Sequence, residues 1–448
     1  MGESLIKNKK IGVLLFEKKS EKEFNNLNLN FASSQDFDLL KLDKTFFSPQ
    51  EHNSWYLTFH TVLRRAHNFL HIILVWINRN SSLNYKLKAY NIYGTNRQVK
   101  ENKSFIAYQN HRASFSKRLI VRVFANPLGL YLVNGLVKLL FRIKKKNDHI
   151  SIENLDKLIL MYGARISLEF DYYLWLAKKR SIESIAIQEN WDNLSSKIVL
   201  YQHPDIFLTW GLQSSMHLRQ IHNYRGLVVE AGCARIREFY LNREDQTNRF
   251  DSIDSPKNIL LIGTGDGEYD LLIAKQCLSI LNRNSILSEF NYKIVYRPHP
   301  YSLKLNKNIN DFGKLKDISI DNPAIHNTNH HRIKMIKNSA VIISLYSTVL
   351  LEASILNKPC VVPSFVESAW IYGPAKYLDE GAHYLGMSAL ENFYNIDSED
   401  KFVDLLVNLA INKVNCSNKY SLLNWYCKDI DSSRVVRDLL NRWVNNVP

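Results

Sequence analysis

Two apolar runs in the second half of the chain stop abruptly at residues able to hold an anion. Tyr-Lys-Ile-Val-Tyr (292–296) gives way to Arg297, Pro298, His299 and Pro300. Val-Ile-Ile (341–343) gives way to Ser344, and Ser347 and Thr348 then open an apolar helical pattern that contains Glu352 and ends at Asn-Lys-Pro (357–359). In an open α/β sheet, ligands bind outside the carboxyl ends of the strands, so two such endings, expected on adjacent strands, mark one crevice. Hydroxyls and free N–H groups at a helix N-terminus hold phosphate, because the dipole and the unpaired donors act together. Arg297 and His299 would add donors. The chemistry is that of a nucleotide mono- or diphosphate site. Glu352 follows Thr348 by one helical turn on the same face, where its carboxylate either accepts from ribose hydroxyls or is solvated. Arg297 pairs either with phosphate or with Asp266.

Gly-Thr-Gly-Asp-Gly (263–267) resembles a phosphate-binding turn, with Gly265 and Gly267 letting backbone N–H groups approach an anion. It is neither a dinucleotide fingerprint nor a P-loop, since no Lys-Ser or Lys-Thr comes after it. In the first half, a strand ends in Glu-Asn-Trp-Asp-Asn-Leu-Ser-Ser-Lys (189–197). Glu189 and Asp192 are candidate general bases. Trp191 offers a flat face to a sugar, and Asn193 and Lys197 offer polar contacts to an acceptor. The alternative for this block is a strand-to-helix cap, with Asp192 in an Asx turn and Trp191 in the core. A second His-Pro, at 203–204, precedes a strand and is expected in a loop.

The elements that position these residues alternate. Strands are expected at 9–16, 157–162, 184–188, 205–210 and 226–230, and again at 258–263, 292–296, 340–344 and 360–362. Helices lie between them, at 170–179, 213–222, 268–282, 331–337 and 348–356, and a last amphipathic helix is expected at 432–444. Such alternation indicates parallel sheets with right-handed crossovers. The stretch from the end of the first strand to about residue 55 is Asn-rich with little period. The stretch 243–257 is polar and reads as a linker, dividing a first domain (1–245) from a second (257–430), with 431–448 as a C-terminal helix. His67 and His71 stand without the Glu of a metalloprotease motif and read as ordinary helix-face residues.

A chain of 448 residues is long for one core, and two domains of roughly 200 residues each are the default. The net charge of +15 suits an anionic partner. Five scattered cysteines with no CxxC argue against a zinc site or a disulfide framework and suit a reducing cytoplasm. No apolar run reaches the roughly 18 residues of a membrane span, and the N-terminus lacks a signal core. From Arg112 to Asn147 the chain carries nine Lys or Arg and no acidic residue. Basic residues beside apolar ones suit an interfacial segment on an anionic membrane; the plainer reading is a buried helix and then a solvated basic loop. No RNA- or DNA-binding motif accompanies the charge, so nucleic acid is not an expected partner.

Two α/β halves with the stronger site in the second form the GT-B arrangement, two Rossmann-like domains facing each other across a cleft. The ordered set Arg-Pro-His-Pro (297–300), Ser-Leu-Tyr-Ser-Thr (344–348), Glu352 and Asn-Lys-Pro resembles GT-B bacterial surface-polysaccharide transferases. These include sialyl-, polysialyl- and Kdo-transferases and CDP-glycerol glycerophosphotransferases. The Trp-Asp-Asn-Leu-Ser-Ser-Lys block is similar to a signature in the same wide group, and the resemblance spans roughly residues 157–365. It implies that His299 contacts the nucleotide phosphate or ribose and that Ser347 and Thr348 hold the phosphate. It implies a nucleotide-sugar donor (CMP-, CDP- or UDP-linked, left open), no cofactor or metal, and a glycan or lipid-linked acceptor. In the sialyltransferases an acidic-acidic-Gly motif supplies the base. Here Asp266-Gly267 alone remains, in the second half, so Asp266 is either base or turn former. A polyol-phosphate transferase, a nucleotide-sugar 2-epimerase and a non-catalytic glycan-binding module stay open beside the glycosyltransferase. The expected location is cytoplasmic, at the inner face of the membrane.

Overall fold

The computed structural model describes residues 9–14, 37–42, 152, 155–162, 168–197, 200, 202–222, 224–243, 257–264, 267–299, 309–326, 328–344, 347–366, 384–411 and 420–444. It also describes the helical residues 132, 135, 136, 138, 139, 141 and 142. The chain divides into two compact units, and each is built on its own parallel sheet.

In the first unit the strands are β1 (Lys9–Leu14), β2 (Phe37–Leu42), β3 (Lys157–Tyr162), β4 (Glu183–Gln188), β5 (Ile206–Thr209) and β6 (Leu227–Glu230), in the order β2-β1-β3-β4-β5-β6. Helix α1 (Leu168–Lys179) joins β3 to β4, and α2 (Leu212–His222) joins β5 to β6. Successive strand residues point to opposite faces, and both faces are covered. Leu158, Leu160, Ala186 and Phe207 pack with Phe170, Tyr173 and Leu174 of α1. On the other face Ile11, Val13, Ile159, Met161, Ile185 and Leu208 form a second cluster. A sheet buried on both sides needs near-continuous apolar strands, which is why Lys-Leu-Ile-Leu-Met-Tyr (157–162) reads so clearly in the sequence. β2 is a correction: Phe-Asp-Leu-Leu-Lys-Leu is a short run inside a polar stretch, and pairing with β1 makes it a strand.

The second unit contains β7 (Lys257–Ile262), β8 (Tyr292–Arg297), β9 (Ile318–Ile320), β10 (Ser339–Ile343), β11 (Cys360–Pro363) and β12 (Phe393–Ile396), in the order β12-β11-β10-β7-β8-β9. Helices α3 (Ala234–Leu241), α4 (Gly267–Arg283), α5 (Asn329–Lys337), α6 (Thr348–Ile355) and α7 (Glu399–Ala410) accompany it. The chain runs β7-β8-β9 in one direction, then begins again beside β7 with β10. That is the doubly wound order whose ligand crevice lies where the direction reverses. Here it falls between the ends of β7 and β10.

The division between units differs from the polar linker expected at 243–257. The units part at Ala234/Arg235, and Arg235–Asp429 forms the second. The reason is packing: Ile236, Phe239 and Tyr240 of α3 are buried, the Tyr240 hydroxyl donates to the Cys427 carbonyl at 2.7 Å, and Arg237 pairs with Asp429. From Ile430 the chain belongs again to the first unit, through α8 (Ser432–Val444). Val436 and Leu440 of α8 are fully buried in the cluster of Ile11, Val13 and Ile159.

Candidate functional site

Beside the switch point of the second sheet, the end of β7 meets the end of β8. The Gly263 N–H donates to the Arg297 carbonyl at 2.8 Å. A Cβ at position 263 would lie 2.6 Å from the His299 nitrogen and 3.1 Å from Pro298 Cα, so only glycine permits the approach. Asp270, buried in the first turn of α4, fixes this corner. Its Oδ1 accepts from the Thr264 N–H and hydroxyl at 2.9 and 2.8 Å, and its Oδ2 accepts from the Tyr296 hydroxyl at 2.9 Å. The Tyr296 ring stacks on Phe312 at 3.8 Å. Burial, together with the Asp270 carboxylate, pushes the Tyr296 phenol well up. Nothing in the spacing of Asp270 and Tyr296 along the sequence announces this bond.

His299 is exposed just beyond this corner. Arg297 is not available to a phosphate in the way expected. It is buried, its guanidinium pairs with Asp321, and it donates to the His326 carbonyl at 2.8 Å. Asp321 also meets His331 Nε2 at 3.0 Å, and the His326 and His331 rings stack 4.5 Å apart. A buried guanidinium must be paired, and Asp321, directly after β9, supplies a pair; Asp266, the partner expected from the sequence, lies outside the described residues.

Across the switch point Ser344 is buried, and its Oγ has no hydrogen-bond partner among the described residues. Ser347 is the N-cap of α6: its Oγ accepts from the Val349 N–H at 3.2 Å. Thr348 is half-buried at the first helical position. Glu352 is 1% exposed and lies 3.4 Å from Arg332 Nη2, while its Oε2 has no hydrogen-bond partner among the described residues. Arg332 is held in turn by Asn329 at 2.8 Å and by the Phe239 ring. The solvated alternative for Glu352 is therefore excluded. Asn357 ends α6 in the left-handed conformation (φ 55°). Its N–H donates to Ser354 and the Lys358 N–H donates to Ala353, a Schellman closure. Asn-Lys-Pro thus turns the chain into β11. The expectation that the Arg-Pro-His and Ser-Thr strand ends are adjacent is corrected: β7 lies between β8 and β10, and two strand spacings are about 10 Å. Gly267 opens α4, while Gly265 and Asp266 fall outside the described residues.

In the first unit the 189–197 block comes directly after β4 and closes in a π-helical turn, Asn193–Lys197. Trp191 is 1% exposed, and its indole N–H donates to Gln213 Oε1 at 2.9 Å. Asn193 is fully buried. Both differ from the acceptor contacts expected of them, because the apolar indole and the amide are drawn into the core between β4 and α2. Glu189 is buried and Asp192 half-buried; the Lys197 side chain lies outside the described residues.

Gln188 ties the block to β5. Its amide donates to the Asn190 and Trp191 carbonyls at 2.8 and 3.2 Å, and it accepts from the Trp210 N–H at 3.2 Å. His222 Nδ1 accepts from the Leu200 N–H, so Nε2 carries the proton and donates to the Leu194 carbonyl at 2.7 Å. On α1, Asp171 is buried, and burial pushes its carboxyl up to about 7 against the Gln202 N–H at 3.1 Å. Gln202 directly precedes the His-Pro (203–204) that leads into β5. Among the described residues no group of three or more His, Cys, Asp or Glu is arranged to hold a metal.

No protein-family model matches the chain, and no curated protein matches it by sequence. Among solved structures, the UDP-GlcNAc 2-epimerase of Methanocaldococcus jannaschii, in complex with UDP-GlcNAc and UDP, is 12% identical with a TM-score of 0.47, over 96% of this chain and 99% of that one. MnaA from S. aureus, in a structure with UDP, is 13% identical with a TM-score of 0.47, over 98% of each chain. The wall teichoic acid polymerase TagF is 13% identical with a TM-score of 0.39, over 65% of this chain and 74% of that one. Likeness this faint says nothing of activity. The sheet orders themselves define the class: two Rossmann-like α/β units of the GT-B type, the last helix returning to the first unit.

Proposed function

We propose that the protein is a glycosyltransferase that moves a sugar from a nucleotide-activated donor to a surface-polysaccharide or lipid-linked glycan acceptor, without a metal or cofactor. The observation that carries the reading is the switch point of the second sheet. There Ser347, Thr348 and the buried Glu352 on one side stand opposite the glycine-permitted corner of Gly263 and His299 on the other. In this reading the α6 N-terminus and His299 take the phosphate, and Glu352 accepts from ribose hydroxyls. Donors already aimed at a leaving nucleotide phosphate stabilise the charge that grows as the sugar–phosphate bond breaks. The acceptor hydroxyl bonds to the sugar as the nucleotide phosphate leaves, and a carboxylate base takes its proton, for which Asp192, half-buried after β4, is our candidate.

The test is a thermal-shift screen against CMP, CDP, UDP, GDP and their sugar conjugates. A ligand bound only by the folded state raises the melting temperature. A shift with one base supports the reading and identifies the donor class. Asp192→Asn should keep that shift and lose transfer. No shift with any nucleotide would overturn the reading in favour of a glycan-binding module.

A further inference from the structure

The described residues between Leu132 and Arg142 are helical. Phe141 is 1% exposed and pins the helix to α1, with ring contacts at 5.7 Å to Tyr172 and 5.6 Å to Trp175. At about 100° per residue, Leu132, Leu136 and Leu139 fall within an arc of about 60°, about half a turn from Phe141. These leucines are 49%, 49% and 50% exposed. Single exposed leucines need no explanation, but an aligned stripe does. Lys138 and Arg142 are exposed and flank the stripe on one side. Gly135 lies between stripe and charges, and a Cβ there would meet nothing within 4 Å. The side carrying the leucines and cations is open.

We propose that this helix face seats the protein on an anionic bilayer surface. Leu132, Leu136 and Leu139 enter the boundary between headgroups and acyl chains, and Lys138 and Arg142 meet lipid phosphates. Charge decides the occupant. The stripe is bordered by cations and lies in a sequence of nine Lys or Arg without one acidic residue, within a chain of net charge +15. Apolar insertion plus attraction to anionic lipid is the energetics of an interfacial helix. No helix among the described residues is long and apolar enough to cross a membrane. The inference does not depend on the nucleotide reading.

Full-length protein would be sedimented with vesicles of phosphatidylcholine alone, or mixed equally with phosphatidylglycerol. The wild type should bind the mixed vesicles at least tenfold more tightly than the neutral ones, and high salt should release it. Replacing Leu132, Leu136 and Leu139 together by Ser should weaken binding at least tenfold, as should Lys138→Glu with Arg142→Glu. Melting temperature should be unchanged in both variants, since these side chains are exposed. Undiminished binding by either variant, or no binding by the wild type, would overturn the proposal. So would a leucine variant that breaks a self-associated form into a smaller species by light scattering, because the face would then join two copies of the chain.

Discussion

Arg297 and His299 are two residues apart and face opposite demands. Arg297 is buried against Asp321, so Arg297→Ala should cost up to about 3–5 kcal/mol by breaking a largely buried ion pair and leaving Asp321 with His331 alone, read as a lowered urea midpoint. His299→Ala should leave that midpoint in place and weaken nucleotide binding about tenfold, near 1.4 kcal/mol, by calorimetry with whichever nucleotide the screen selects. Equal urea midpoints for the two variants would refute the division of labour. Asp171 carries a pH prediction. Burial raises its carboxyl from the usual 3.8 to about 7, so between these values the folded chain holds a proton that the unfolded chain has released. Stability from this group is therefore fully present below about pH 4 and falls as pH rises towards 7. Asp171→Asn should lack that fall, and its advantage over the wild type should grow across the window by at most on the order of 4 kcal/mol. A pH-independent difference in chemical denaturation would show that Asp171 ionises normally.

At the scale of elements, the site corner depends on how closely β7 and β8 approach. Gly263→Ala would place a methyl 2.6 Å from the His299 backbone nitrogen, and that atom cannot swing away as a side-chain end does. The substitution should cost about 1–3 kcal/mol, the usual range for overpacking, and should displace His299 enough to weaken nucleotide binding as well. An unaltered melting temperature would mean that the corner is slack. The helix ends were legible in part. Ser347 and Asn357 have the residue types that cap helices, and they do so at the two ends of α6. The short edge strands were not: β9 and β12 have three and four residues, too few to show a period, and only pairing with β8 and β11 makes them strands. Helix α7, also unexpected, lies on the same unit, with Phe402, Leu406 and Leu409 buried.

For the whole molecule, the return of α8 to the first unit is the feature with the widest consequence. Leu440 is fully buried among strand residues from the very start of the chain, Ile11 and Val13. Leu440→Ala should cost about 2–5 kcal/mol and lower the unfolding transition of the first unit while leaving a nucleotide-dependent shift in the second. Loss of both together would mean that the units unfold as one. By itself the sequence determined the class of fold. Apolar strands buried on both faces leave continuous runs, and their alternation with helical patterns admits parallel sheets and little else. It also marked the strand ends where polar residues gather, at Arg297–His299, Ser344–Thr348 and Glu189–Asp192. Only the tertiary structure decided strand order, which put β7 between the two endings expected to be adjacent. Only it decided which polar residues are already satisfied. Arg297, Trp191 and Asn193 are drawn inward, because a partner such as Asp321 or Gln213 becomes a neighbour only when distant strands and helices pack together.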